Sequence, residues 1–171
     1  MARYLTLYRD YGGDPKRTCM ARGFDHGNGW FRIIDELSAK LDGIALKYDI
    51  TITADQVKEK FGTLRFYYSV SGLERFEEAG EKDESRVIES ETKAVFRMPI
   101  PSRSPKVEKI YQEIHSVIKD AEELTRKTCM FCSNAGSLRT KVNWHVSCEK
   151  CEKEFLRGEK RLRSKLQPGK L

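Results

Sequence analysis

Cys129-Met-Phe-Cys132, a spacer of fifteen residues (133–147), then Cys148-Glu-Lys-Cys151: here spacing alone names a chemistry. A Cys-x-x-Cys pair on a tight turn points two sulfurs at one ion, and a spacer of this length lets a hairpin bring the second pair back to the first. The reading is a structural Zn²⁺ site with Cys129, Cys132, Cys148 and Cys151 as ligands. The competing reading is two disulfides or a redox Cys-x-x-Cys. Met1-Ala-Arg-Tyr-Leu-Thr-Leu-Tyr-Arg9 has neither the sustained apolar run nor the small-residue cleavage site of a signal peptide. That points to a cytoplasmic chain whose thiols stay reduced and free for metal.

The flanks indicate the kind of module. Ser133-Asn-Ala-Gly136 reads as a turn, Leu138-Arg-Thr-Lys-Val142 alternates as a hairpin does, and Trp144 stands four residues before the second pair. After Cys148 come good helix formers, with acidic residues in the first turn. A knuckle, a hairpin and two ligands at the opening of a helix is the order of a treble clef; a zinc ribbon would put the second pair on another hairpin. The helix signals favour the treble clef, and without metal residues 128–171 are not expected to hold a fold.

At 171 residues the chain can hold one modest domain and a small satellite. The division expected is an α+β domain over 1–104 with a charged insertion at 71–93, a connecting amphipathic helix over 105–127, and a zinc-binding module over 128–171. The fold class is α+β, a small antiparallel sheet packed on helices and followed by the zinc module. No run is apolar enough to span a membrane. The net charge of +6 is unevenly placed. From 156 onward Arg157, Lys160, Arg161, Arg163, Lys165 and Lys170 face Glu159 alone, whereas 71–93 hold eight acids and four bases. A basic end and an acidic middle describe partners better than the sum does.

In chain order, residues 1–28 interleave Tyr4, Tyr8, Tyr11 and Phe24 with Arg and Lys. Such a segment can stack on bases or lie across a core with rings inward and charges in water; the second reading is the one adopted. Cys19 has no second cysteine at ligand spacing and reads as a buried or idle thiol. Asn28 opens a helix to about Tyr48, its core stripe made of Trp30, Ile33, Ile34, Leu37, Leu41, Ile44 and Leu46; Gly43 weakens its later half. Ile50–Thr53 and Thr63–Val70 read as strands, the second with Leu64, Phe66, Tyr68 and Val70 toward the helix. Arg65 and Tyr67 then share the other face, with Lys58 and Lys60 just before the strand. Those four groups suit a nucleotide or oligonucleotide, although a solvated outer face is the plain alternative.

The insertion at 71–93 is apolar-poor, and Ala94–Ile100 can return as an edge strand. Ser104 as N-cap and Pro105 at the first helical position then start a five-turn helix. Its stripe is Val107, Ile110, Tyr111, Ile114, Val117, Ile118, Ala121 and Leu124, with His115 at the border. The tail after Leu162 reads as frayed.

Three stretches carry a resemblance: Gly29-Trp-Phe-Arg-Ile-Ile-Asp-Glu-Leu37, Val57-Lys-Glu-Lys-Phe-Gly-Thr-Leu-Arg-Phe-Tyr-Tyr68, and the first cysteine pair with Trp144-x-x-x-Cys-x-x-Cys151. Together they resemble a family of small, largely uncharacterised phage and prophage proteins. The resemblance covers about residues 28–70 and 105–152. It implies action by binding, to nucleic acid, a host protein or a nucleotide signal, in the host cytoplasm.

Three functions follow as expectations. The first is a zinc-stabilised module for a phosphate-bearing partner, DNA or RNA before a small nucleotide, since no glycine-rich phosphate loop is present. Its contacts would be Lys58, Lys60, Arg65 and Tyr67 together with Arg157, Lys160, Arg161, Arg163 and Lys165, giving salt-sensitive affinity. The alternative is an inhibitor or adaptor that binds a host protein, with the acidic 71–93 excursion as its contact or as a nucleic-acid mimic. The third, a nuclease, would leave His145 to act almost alone, because His26, His115 and His145 do not form the histidine and asparagine set of a metal-bound nuclease. Catalysis is not expected.

Overall fold

Apolar residues at three- and four-residue steps give a helix one buried side. The computed structural model describes residues 3–76 and 104–166, with side chains as far as residue 159. In it the first such stripe forms α1, Phe31–Tyr48, burying Ile34, Leu37, Ser38, Leu41 and Ile44. A 3₁₀ turn over Asn28–Trp30 precedes it, so Asn28 opens that turn instead of capping α1. Leu46, read as part of the stripe, is 77% exposed. Two residues past Ile44, it lies about 200° further round the helix. Asp49 ends α1 in the left-handed region, φ 51°.

β1 (Thr51–Lys60) and β2 (Thr63–Ser71) form an antiparallel hairpin with an irregularity between Ala54 and Gln56. β1 is longer than its β-branched start suggests. Lys58 and Lys60 therefore lie within it rather than ahead of a strand. The turn is Phe61–Gly62, with φ of 55° and 76°, the type I′ geometry that matches the twist of a hairpin. Leu64 and Phe66 are buried, and Tyr68 and Val70 pack partly against the same core. Of the N-terminal rings Tyr4 and Tyr8 turn inward and Phe24 packs partly against the core, whereas Tyr11 is exposed. Tyr4, Leu7, Tyr8 and Met20 are buried, while the Ala54 amide donates to Leu7 O at 2.8 Å and the Glu59 amide to Asp25 O at 2.7 Å. These bonds satisfy the outer edge of β1. The Ser38 hydroxyl donates to Ile34 O, so the single hydrogen between Tyr8 and Ser38, 2.6 Å apart, comes from the phenol. Burial pushes that phenol up to about 12.

α2 spans Pro105–Thr125, and the Ser104 hydroxyl accepts the Val107 amide as the Ser-Pro start predicts. Val107, Ile110, Ile114, Ile118 and Ala121 are buried in the same cluster as α1 and the hairpin. The helix read as a connector is thus a full wall of the core. Its predicted last core residue, Leu124, is exposed. Thr125 is buried instead, donating to Glu122 O at 2.7 Å and accepting the Leu64 amide at 3.1 Å. Lys47 and Tyr48 on α1 hold Glu113 on α2 at 2.8 and 2.6 Å.

The C-terminal module contains β3 (Ser137–Arg139), β4 (His145–Ser147) and α3 (Glu149–Leu166). α3 runs past Leu162, beyond the point at which the tail was read as frayed. Val146 of β4 belongs to the main core. The molecule is α+β, with a two-stranded antiparallel sheet packed on helices and a C-terminal group of four cysteines. Of the insertion expected over 71–93, Ser71 ends β2, Leu73 is buried and Phe76 packs on the core; its residues from 77 on and the expected strand Ala94–Ile100 lie outside the described residues. Among the described residues no helix is long and apolar enough to cross a membrane.

Candidate metal centre and the hairpin surface beside it

The first cysteine pair sits on a knuckle shaped by backbone hydrogen bonds. The Cys129 amide donates to Asn134 O at 2.7 Å, the Ser133 amide to Cys129 O at 3.1 Å, and the Gly136 amide to Lys127 O at 2.8 Å. Ser133 takes φ 66° to close the turn. The second pair straddles the start of α3: Cys148 precedes the helix, and the Cys151 amide in its first turn donates to Cys148 Sγ at 3.5 Å. That bond lowers the Cys148 thiol to about 7, as amides at a helix start do for a thiolate.

All four Sγ atoms lie within 4.8 Å of one another, with Cys132 and Cys148 3.6 Å apart. Four sulfurs about 2.3 Å from a central ion would be about 3.8 Å from each other in a regular tetrahedron, so the set fits one metal ion. A disulfide needs sulfurs about 2.05 Å apart, and all five cysteines are free thiols. Cys19 is exposed and outside the cluster. The order of knuckle, hairpin and helix is that of a treble clef.

α3 is tied to β4 by a buried polar group. Glu152 Oε2 accepts from Ser147 Oγ and lies against His145 Nε2, both at 2.9 Å, and His145 Nδ1 donates to Asn143 O. Phe131 and Phe155 pack on the imidazole. With both ring nitrogens engaged and the ring buried, His145 is a strut of the module.

The knuckle docks on a segment that spacing arguments could not single out, Gly27-Asn-Gly-Trp30. The Gly29 amide donates to Met130 O at 2.7 Å, Ser133 Oγ donates to Gly29 O at 2.8 Å, and Trp30 Nε1 donates to Thr128 O at 2.8 Å. A Cβ on Gly29 would overlap the Cys129 carbonyl oxygen, and one on Gly27 the Met130 carbonyl oxygen. Backbone lies directly on backbone, which only glycine permits. Trp30 is fully buried, as its place in the stripe suggested.

Beside the module, β1–β2 register sets Lys58 opposite Arg65 and Gln56 opposite Tyr67. With side chains alternating along each strand, Lys58, Arg65 and Tyr67 share one face and Lys60 lies at its tip. Lys58 Nζ is 5.3 Å from the Tyr67 ring centre, and Lys60 Nζ is 5.3 Å from that of Phe61. Arg65 is not wholly free, since Nη1 is 3.3 Å from Glu122 Oε1 on α2. Arg157 is exposed on α3; Lys160, Arg161, Arg163 and Lys165 belong to the same helix, their side chains outside the described residues. The structure adds two groups to which the sequence reading gave no binding role. Phe61 at the hairpin tip and Trp144 before β4 have ring centres 5.6 Å apart, with planes at 69°. The signal that could have found Phe61 is an aromatic where a type I′ turn favours Asn.

No family model, no curated protein and no solved structure matches the chain.

Proposed function

We propose that the protein is a Zn²⁺-stabilised binding module whose partner is nucleic acid. Zn²⁺ suits a closed set of four thiolates at the start of a helix, where the ion serves folding and no position is left open for chemistry. The observation that carries the nucleic-acid reading is the paired arrangement on the β1–β2 hairpin, an ammonium group beside each of two exposed rings. Lysines supply phosphate contacts, and rings supply faces for bases. Arg157 and the other cations of α3 would add phosphate contacts. The locked state of His145 supports binding over catalysis. The phage setting implied by the resemblance is part of the same proposal and would place the target in the host cytoplasm.

Fluorescence anisotropy of labelled oligonucleotides across a salt series tests this reading. Affinity is expected to fall with salt, and Lys58→Glu with Lys60→Glu to weaken binding and lower the salt slope by about 2. Absence of binding at low salt, or affinity indifferent to salt, refutes it. Metal analysis of the purified protein, expected to give one zinc per chain, tests the ion.

A further inference from the structure

A two-residue type I′ turn needs positive φ at both central positions, and Asn-Gly satisfies it with little strain. This chain places Phe61 first, at φ 55°, and leaves the side chain 60% exposed. A bulky residue held in the left-handed region without being buried gains nothing for the fold, and strain of this kind gathers where a surface acts. Trp144, 53% exposed, stands beside it from the other hairpin. The two hairpins meet there, with the end of the Leu138 side chain against Gly62. Rings from two elements therefore form a solvent-facing notch with Lys60 over one wall.

We propose that Phe61 and Trp144 are a stacking site for unpaired nucleobases, with Lys60 and Lys58 holding the flanking phosphates. The partner is then single-stranded DNA or RNA. This rests on the nucleic-acid reading above and narrows it. A duplex hides the faces of its bases, whereas a single strand offers them to any flat ring with little regard to sequence. An apolar protein surface laid over the same notch would have to strip water from the lysine ammonium groups without returning a charge partner. Phosphates return one. The edge-to-face setting of the rings lets a base stack on one and meet the edge of the other.

The chain has two tryptophans, and Trp30 is fully buried, so quenching of emission by a bound strand reports Trp144. The zinc-loaded full chain is titrated with an oligothymidylate of about 12 nucleotides and with an abasic strand of the same length. Tryptophan emission and the anisotropy of a labelled strand are followed together. Expected are quenching by oligothymidylate in step with anisotropy, none with the abasic strand, and at least about tenfold tighter binding of the strand that carries bases. Phe61→Asn, which suits the turn, and Trp144→Ala should each weaken oligothymidylate binding about tenfold and leave abasic binding unchanged. Binding without quenching, or equal affinity for both strands, overturns the stacking site and leaves the phosphate-binding reading standing. No anisotropy change with either strand at low salt removes both and turns the notch over to a protein partner.

Discussion

Tyr8 shows how one buried hydroxyl sets a limit on pH. Its phenol ionises near 10.0 in the unfolded chain and near 12 in the fold. Above the first value the unfolded state has lost a proton that the folded state still holds, so stability falls as pH rises between the two. The loss approaches roughly 3 kcal/mol once both values are passed. Tyr8→Phe should cost roughly 1 kcal/mol at neutral pH through the lost bond to Ser38. It should also flatten the alkaline limb, which urea unfolding at neutral pH and at about pH 11 will show. Phe61 makes the opposite trade. Phe61→Asn relieves a strained backbone and should raise stability by roughly 1 kcal/mol even as it removes a ring from the notch. A melting curve alongside the titration checks both halves. At this scale the sequence was informative about direction and silent about partners. That Tyr4 and Tyr8 turn inward follows from their setting among charges, but Tyr11, in the same setting, is exposed; Ser38 stands thirty residues from Tyr8, and no local pattern pairs them.

Elements carry the same lesson through two glycines. Gly43 lies inside α1 with open space where a Cβ would go, and Gly29 lies under the knuckle with backbone in that space. Gly43→Ala should stabilise the protein by roughly 0.5–1 kcal/mol through helix propensity. Gly29→Ala should destabilise it by about 3 kcal/mol, because a main-chain carbonyl cannot step aside. Denaturant midpoints for the two variants decide the matter, and a neutral Gly29→Ala would mean that the docking is loose. The stripes of α1 and α2 were legible because a helix repeats its exposure every turn, and both were overrun at their ends, at Leu46 and Leu124, apolar residues that stand outside the covered side while Tyr48 and Thr125 in the same last turns meet the core. The cysteine ligands were legible because each pair fixes its own turn. The surface on which their knuckle sits was not, since it is made of residues about one hundred positions away.

The whole molecule ties its four-cysteine cluster to its core. Val146 lies in the main cluster, and the knuckle is bonded to Gly29 and Trp30. A strong chelator should therefore lower the midpoint of one cooperative transition for the entire chain, with Cys148→Ser acting the same way, instead of melting residues 128–171 alone. Metal sites of this kind contribute about 10 kcal/mol or more of binding free energy to folding, ample for such a shift. Circular dichroism melts with and without chelator check it; two separate transitions, or an unchanged curve, would contradict it. One further joint bears on the covalent path of the chain. Ser104 Oγ donates to Phe76 O at 2.6 Å, and Lys106 Nζ lies 4.6 Å from the Phe76 ring centre. Phe76 and Ser104, the described residues on either side of 77–103, thus meet at one point of the fold. A covalent link between two positions that already touch contributes loop-closure entropy. Fragments 1–76 and 104–171, made separately, should accordingly reassemble as a complementing pair.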